Sequence, residues 1–305
     1  MPPPIDAVLL LAFGGPERPE DVRPFLDEVL RGRPVPTERY EEVVRHYQVI
    51  GGRSPLNSWT FRQAEGLAAT LERDGPRLPV YVGMRSWTPT IAATLAAMRD
   101  AGVRRALALI LAPHRAEESW ERYRRGVDDA RAALGATAPL VDYAGSWFDH
   151  PDFIAAMVAR ARAALAAAPA DAALVFTAHS IPCAMAETSP YVRELETSCR
   201  LVASALERPF LIAYQSRSGG PREPWLEPDV NVLLRERAAQ GVRHVVLVPI
   251  GFVCDHVEVL YDLDVEAQAT AAALGIGLTR AETANDHPAF IRMLAAVVRA
   301  YVERA

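Results

Sequence analysis

The stretch Val245–Glu266, VVLVPIGFVCDHVEVLYDLDVE, decides how this chain is read. The run Val245–Ile250 has the composition of a short strand buried on both faces, and a helix is expected over Val257–Leu274. That helix carries Glu258, Asp262 and Glu266 at i, i+4 and i+8, a spacing that stacks them along one face. Like charges so spaced repel by about 0.2–0.5 kcal/mol per pair on an open helix. A column of acids beside Asp255 and His256 suits visiting divalent cations such as Fe(II), Mn(II) or Mg(II), for which oxygen and imidazole are ligands. A second reading stands beside the first. Asp255 and Glu258 have the spacing of a capping box, and acids near a helix N-terminus are favoured by its dipole.

Outward from this segment, short apolar runs alternate with longer amphipathic ones. Strands are expected at Ala7–Phe13, Pro79–Met84, Ala106–Leu111, Leu140–Tyr143, Ala173–Ala178, Phe210–Tyr214, Val245–Ile250 and Gly277–Thr279. Helices fall between them, the last over Pro288–Glu303. This alternation predicts a doubly wound α/β architecture. The strands divide four and four about a seam near Asp149–Pro151. The expectation is two similar lobes, residues 1–150 and 151–305, each a parallel four-stranded sheet flanked by helices, facing one another across a cleft. The last helix is expected to pack back on the first lobe.

Composition narrows the function. The 305 residues are half hydrophobic and carry a net charge of -5, which does not suit a nucleic-acid binder. Three cysteines, Cys183, Cys199 and Cys254, with no C-x-x-C pair, argue against a disulfide framework, a zinc ribbon or a four-cysteine iron–sulfur cluster. The opening MPPPID lacks a positive n-region, and Ala7–Phe13 ends in Gly14-Gly15-Pro16, as a buried first strand does rather than a signal peptide. No stretch approaches the ~20 apolar residues of a membrane span. A cytoplasmic protein without stable membrane insertion is expected. Gly14-Gly15 is not G-x-G-x-x-G, and a tight turn is the simpler reading.

Leu174–Pro182, LVFTAHSIP, ends a strand and presents His179. Ligands of open parallel sheets gather outside the carboxyl ends of the strands, where Val248–Glu258 also emerges. His179 and Glu258 are therefore expected in one pocket, with a backbone-bonded loop histidine as the alternative. Imidazole takes a proton or binds metal near pH 7. Tyr214–Asp229, YQSRSGGPREPWLEPD, is long enough to be functional, with Trp225 as the flat wall of a lid. In the first half, Arg31-Gly-Arg33-Pro, YQVIGGRSPL with Tyr47, Arg53 and Ser54, and Met84-Arg85-Ser86-Trp87 offer groups for a substrate's carboxylates. Scattered surface arginine is the competing reading.

Taken in order, LLLAFGGP, YQVIGGRSPL, GMRSWTP, LILAPH, FTAHSIP, the tryptophan loop and VPIGFVCDHVEVLYDLDVE resemble the ferrochelatases, nearly end to end. The resemblance implies a chelatase-like pair of Rossmann-like lobes without nucleotide, and a lyase that inserts Fe(II) into a free-base porphyrin in haem biosynthesis. It implies catalytic roles for His179 and Glu258, and metal contact by His179, Glu258, Asp262 and Glu266. It implies propionate contacts at Arg31, Tyr47, Ser54 and Tyr123, and a lid tryptophan at Trp225. Phe13 stands at a substrate-facing position where many soluble bacterial relatives have tyrosine, so that iron ligand is missing. The resemblance further implies no permanently bound cofactor, no iron–sulfur cluster, room for a regulatory divalent cation, porphyrin and ferrous iron as partners, and a monomer. The LAPH segment and the length resemble forms that use coproporphyrin III rather than protoporphyrin IX. The alternatives are a cobalt chelatase of another tetrapyrrole pathway and a non-catalytic porphyrin or haem carrier.

Overall fold

A computed structural model of the chain describes residues 3–32, 35–220 and 222–304. Among the described residues eight strands form two four-stranded sheets. The first holds β1 (Ala7–Ala12), β2 (Val80–Met84), β3 (Arg105–Ile110) and β4 (Leu140–Tyr143) in the order β2-β1-β3-β4. The second holds β5 (Ala173–His179), β6 (Phe210–Gln215), β7 (His244–Val248) and β8 (Gly277–Arg280) in the order β6-β5-β7-β8. All pairings are parallel. The two sheets thus repeat one topology, although no repeat is visible in the sequence.

The central strands explain themselves. Every residue of β1, AVLLLA, is buried, because helices cover both faces of the sheet. Parallel neighbours need a long crossover, which supplies those helices. In the first sheet Leu9 and Leu11 pack with Leu95, Met98 and Val127 from covering helices. In the second, Val245 and Leu247 pack with Leu233, Val259 and Leu263.

Two compact units result. One comprises Met1–Ala112, Glu118–Ser146 and Phe290–Ala305; the other comprises Pro113–Glu117 and Trp147–Ala289. The last helix, Pro288–Val302, therefore belongs mainly to the first unit, where Ile291 lies against Gly66.

Two segments differ from plain helices. The expected helix over Val257–Leu274 is a short α-turn, Val257–Leu260, then a π-helical stretch, Asp262–Ala267, then Gln268–Leu274. A second π-helical stretch, Glu117–Glu121, precedes the α-helix Arg122–Leu134. Apolar spacing does not distinguish a wider turn from an ordinary one.

Candidate active site

Parallel pairing sets the second unit's centre. The register of β5 and β6 places His179 beside Gln215 at the strand exits. The chain leaving β7 crosses the end of β5 at Gly251, whose amide donates to the Thr177 carbonyl at 3.1 Å. Only glycine fits there: a Cβ would stand 2.6 Å from the Ala178 Cβ. This close passage delivers Glu258 to His179, with Oε1 3.6 Å from Nε2. About a third of each side chain is exposed (32% and 39%), so the pair can be reached from solvent.

The imidazole is held on several sides. The Tyr191 hydroxyl donates to the His179 carbonyl at 2.8 Å, and His179 Nδ1 meets the carbonyl of Ser180. Burial pulls the His179 pKa down, but the charge and hydrogen bond of Glu258 outweigh it and lift it to about 9. At neutral pH the resting side chain is an imidazolium paired with a carboxylate. His256 is the opposite case: burial lowers its pKa and keeps it neutral, although its Nε2 lies 4.0 Å from Glu258 Oε2. Its ring meets Phe252 edge-on, with centroids 4.8 Å apart. Among the described residues nothing hydrogen-bonds its buried Nδ1. Glu258 therefore sits between a charged and a neutral histidine.

The acidic column survives the wider turn and depends on it. In an α-helix, eight residues would turn Glu266 about 80° from Glu258. The amide of Glu266 instead reaches the Tyr261 carbonyl five residues back, at 3.0 Å. The four α-helical steps from Glu258 to Asp262 advance about 100° each and the four across the wider turn roughly 80° each, which together make about two full turns and return Glu266 nearly to the azimuth of Glu258. Glu258 and Asp262 are half-buried and Glu266 is exposed, so the three acids run from the histidine pair to solvent. Burial raises the Asp262 pKa to about 7, with Glu258 and Glu266 adding to the shift and Ser216 opposing it through its hydroxyl bond to Oδ2. Among the described residues no three His, Cys, Asp or Glu side chains form a group that could enclose a metal ion.

The capping-box reading does not hold. The helix N-cap is His256, and the Asp255 carboxylate is taken by Arg280 and Thr283, each at 3.1 Å.

The tryptophan loop is tied back to the strand that carries His179. The Cys183 amide donates to the Pro224 carbonyl at 2.9 Å and the Leu226 amide to the Ile181 carbonyl at 3.0 Å. Trp225 is half-buried, and its indole nitrogen donates to Glu223 at 3.0 Å.

The first unit gathers an aromatic cluster at its own strand exits. Phe25 meets the rings of Phe13, Tyr47 and Trp87 edge-on, with centroids about 6 Å apart. The Arg85 guanidinium lies over Phe13 at 4.7 Å and over Tyr123 at 5.3 Å. Gly14, at φ +88°, makes the turn after β1 beneath Trp87. Tyr47, Ser54 and Tyr123 are buried, whereas Phe13, Arg85 and Trp87 are part-exposed. Arg31 stands apart, exposed and paired with Glu28. Arg33 lies outside the described residues. The structure adds Tyr191, Gln215 and Ser216 to the residues expected at the second unit's site.

Two sheets of identical strand order, with an imidazole–carboxylate pair at the strand exits of one, define a chelatase-type α/β protein. The same fold occurs in the sirohydrochlorin chelatase SirB from Bacillus subtilis subspecies spizizenii in complex with cobalt, with a TM-score of 0.60 at 14% identity over 98% of this chain and 96% of that one. It occurs also in CbiX, the terminal enzyme of sirohaem biosynthesis in denitrifying bacteria, with a TM-score of 0.55 at 14% identity over 96% and 98%. Sequence goes further. The ferrochelatase family model matches residues 5–302, and the chain belongs to the ferrochelatase family. A ferrochelatase of Rhodopirellula baltica is 43% identical over 302 residues, 97% of this chain and 86% of the relative. A coproporphyrin III ferrochelatase of Mycobacterium bovis is 46% identical over 292 residues, 94% and 83% of the two chains. Among the described residues no helix is long and apolar enough to cross a membrane.

Proposed function

We propose that this protein is a coproporphyrin III ferrochelatase, a lyase that inserts Fe(II) into the free-base macrocycle and releases two protons. The observation that carries the reading is the His179–Glu258 pair, 3.6 Å apart at the head of an acidic column in a ferrochelatase-family chain. In metallation, Fe(II) forms bonds to the porphyrin nitrogens while both pyrrolic N–H bonds break. The site must therefore bring in a dication and take up protons.

The resting imidazolium is unsuited to either task until it gives up its proton. An approaching dication disfavours the charged imidazole, as any nearby positive charge does. Neutral His179 then serves as first ligand or proton acceptor, and Glu258 takes the complementary role. Asp262, at about 7, exchanges a proton readily at neutral pH. We assign metal contact during entry to His179, Glu258, Asp262 and Glu266, and macrocycle contact to Phe13, Arg31, Tyr47, Ser54, Tyr123 and Trp225. Three of these, Tyr47, Ser54 and Tyr123, are buried, so their contacts require side-chain movement. Fe(II) is substrate, and no resident cofactor or cluster is required. The working form is a cytoplasmic monomer.

Coproporphyrin III carries more propionates than protoporphyrin IX, and the relatives of Mycobacterium bovis and Nocardia farcinica are coproporphyrin III ferrochelatases. An anaerobic absorbance assay with Fe(II) and each porphyrin separately tests the assignment. Preferential conversion of coproporphyrin III supports it. Preferential conversion of protoporphyrin IX overturns the substrate, and conversion of neither overturns the reaction.

A further inference from the structure

We infer that Arg280, which no sequence motif marked, is a positioning residue that pins the π-helical turn and so aligns the acidic column toward Fe(II). The inference rests on the proposed metallation but uses different residues. Arg280 closes β8, and the backbone beyond it is fixed to the sheet by the Ala281 amide, which donates to the Leu247 carbonyl at 2.8 Å. From this rigid base the guanidinium grips Asp264 with two parallel bonds, Nε to Oδ1 at 2.6 Å and Nη2 to Oδ2 at 2.8 Å. Its Nη1 donates to Asp255 at 3.1 Å. Thr283, fully buried, donates to the same Asp255 oxygen, and the Asn285 side chain accepts from the Asp255 amide at 3.1 Å.

Those two aspartates bracket the reactive segment. Asp255 immediately precedes His256 and lies three residues before Glu258; Asp264 lies within the π-helical stretch, between Asp262 and Glu266. A turn closed i→i+5 is rare, so its register needs support from outside the helix. The planar fork of arginine supplies that support through a carboxylate of fixed orientation. If the segment relaxed to an α-helix, Glu266 would swing about 80° off the column. Arg280 touches neither iron nor porphyrin in this account; it acts through Asp264 and Asp255.

The test compares wild type with Arg280→Lys, which keeps the charge and loses the fork, and with Asp264→Asn, which weakens the grip from a half-exposed position. Thermal melts first establish that each variant folds, and porphyrin fluorescence quenching measures macrocycle affinity. Amide hydrogen exchange over residues 262–268 is then followed, together with KM for Fe(II) and kcat. The expected result is faster exchange in that segment, unchanged porphyrin affinity, and a KM for Fe(II) raised about tenfold or more with kcat little changed. Wild-type exchange with unchanged KM in folded variants overturns the assignment. So does a fall in kcat that only follows the folded fraction. If Arg280→Lys does not fold, Asp264→Asn decides by the same readings. If wild type does not metallate, the functional reading fails, while the exchange measurement still decides whether Arg280 pins the turn.

Discussion

Replacing Glu258 by Gln removes the charge that holds the His179 proton and keeps the shape of the side chain. The ordinary histidine value is 6.5, and Glu258 is what lifts His179 to about 9 against the opposing effect of burial. A change of that size corresponds to about 3 kcal/mol between the protonation states. Both side chains are about a third exposed, and solvent screening reduces the share that reaches folding stability to about 1–2 kcal/mol. The sign follows from linkage. The folded pKa is raised, so the contribution is fully present below pH 6.5 and is lost as pH rises through about 9. In Glu258→Gln burial is opposed only by the Ser180 carbonyl and the Asp262 charge, and the His179 proton should be released well below pH 9. Imidazole proton resonances followed against pH by NMR give this directly. Urea unfolding should show the variant less stable by about 1–2 kcal/mol at pH 6 and nearly equal to wild type above pH 10. A stability difference that is constant across this range, or a wild-type His179 that titrates near 6.5, would refute the reasoning.

Gly251→Ala should cost about 1–3 kcal/mol in thermal or urea unfolding, because its Cβ would meet Ala178 where two strand exits cross. Metallation should fall with it as Glu258 is pushed from His179. Tyr191→Phe, which removes the donor to the His179 carbonyl inside a buried site, should cost about 1–2 kcal/mol and lower kcat. His114 is buried and its pKa is pushed down to about 3, so the folded state refuses a proton that the unfolded chain accepts. Stability should therefore fall as pH drops below 6.5, by about 1.4 kcal/mol per pH unit from this one group, and His114→Gln should flatten that part of the acid-unfolding curve.

The strand runs were legible because a parallel strand covered on both faces needs apolar residues throughout. All eight strand candidates correspond to observed strands, with ends displaced by a residue or two. His179 and Glu258 could be paired in advance because both follow strands whose carboxyl ends meet in one sheet. The wider turn after Tyr261 could not be seen, since apolar spacing fits a π-helix and an α-helix about equally. Arg280 gave no signal, because an arginine at a strand end in an arginine-rich chain resembles any surface charge. Asp255 fitted a capping box by spacing, yet its carboxylate is committed to side chains far along the chain. The last helix, expected to pack back on the first lobe, groups with the first unit through contacts such as Ile291 with Gly66, which no local pattern specifies.

The most direct test is single-turnover metallation under anaerobic conditions with wild type and His179→Ala, with porphyrin binding measured in the same samples. Wild type should form metalloporphyrin rapidly, and the variant should bind porphyrin normally but fail to metallate it. A variant that inserts Fe(II) at the wild-type rate would contradict the central role given to the His179–Glu258 pair.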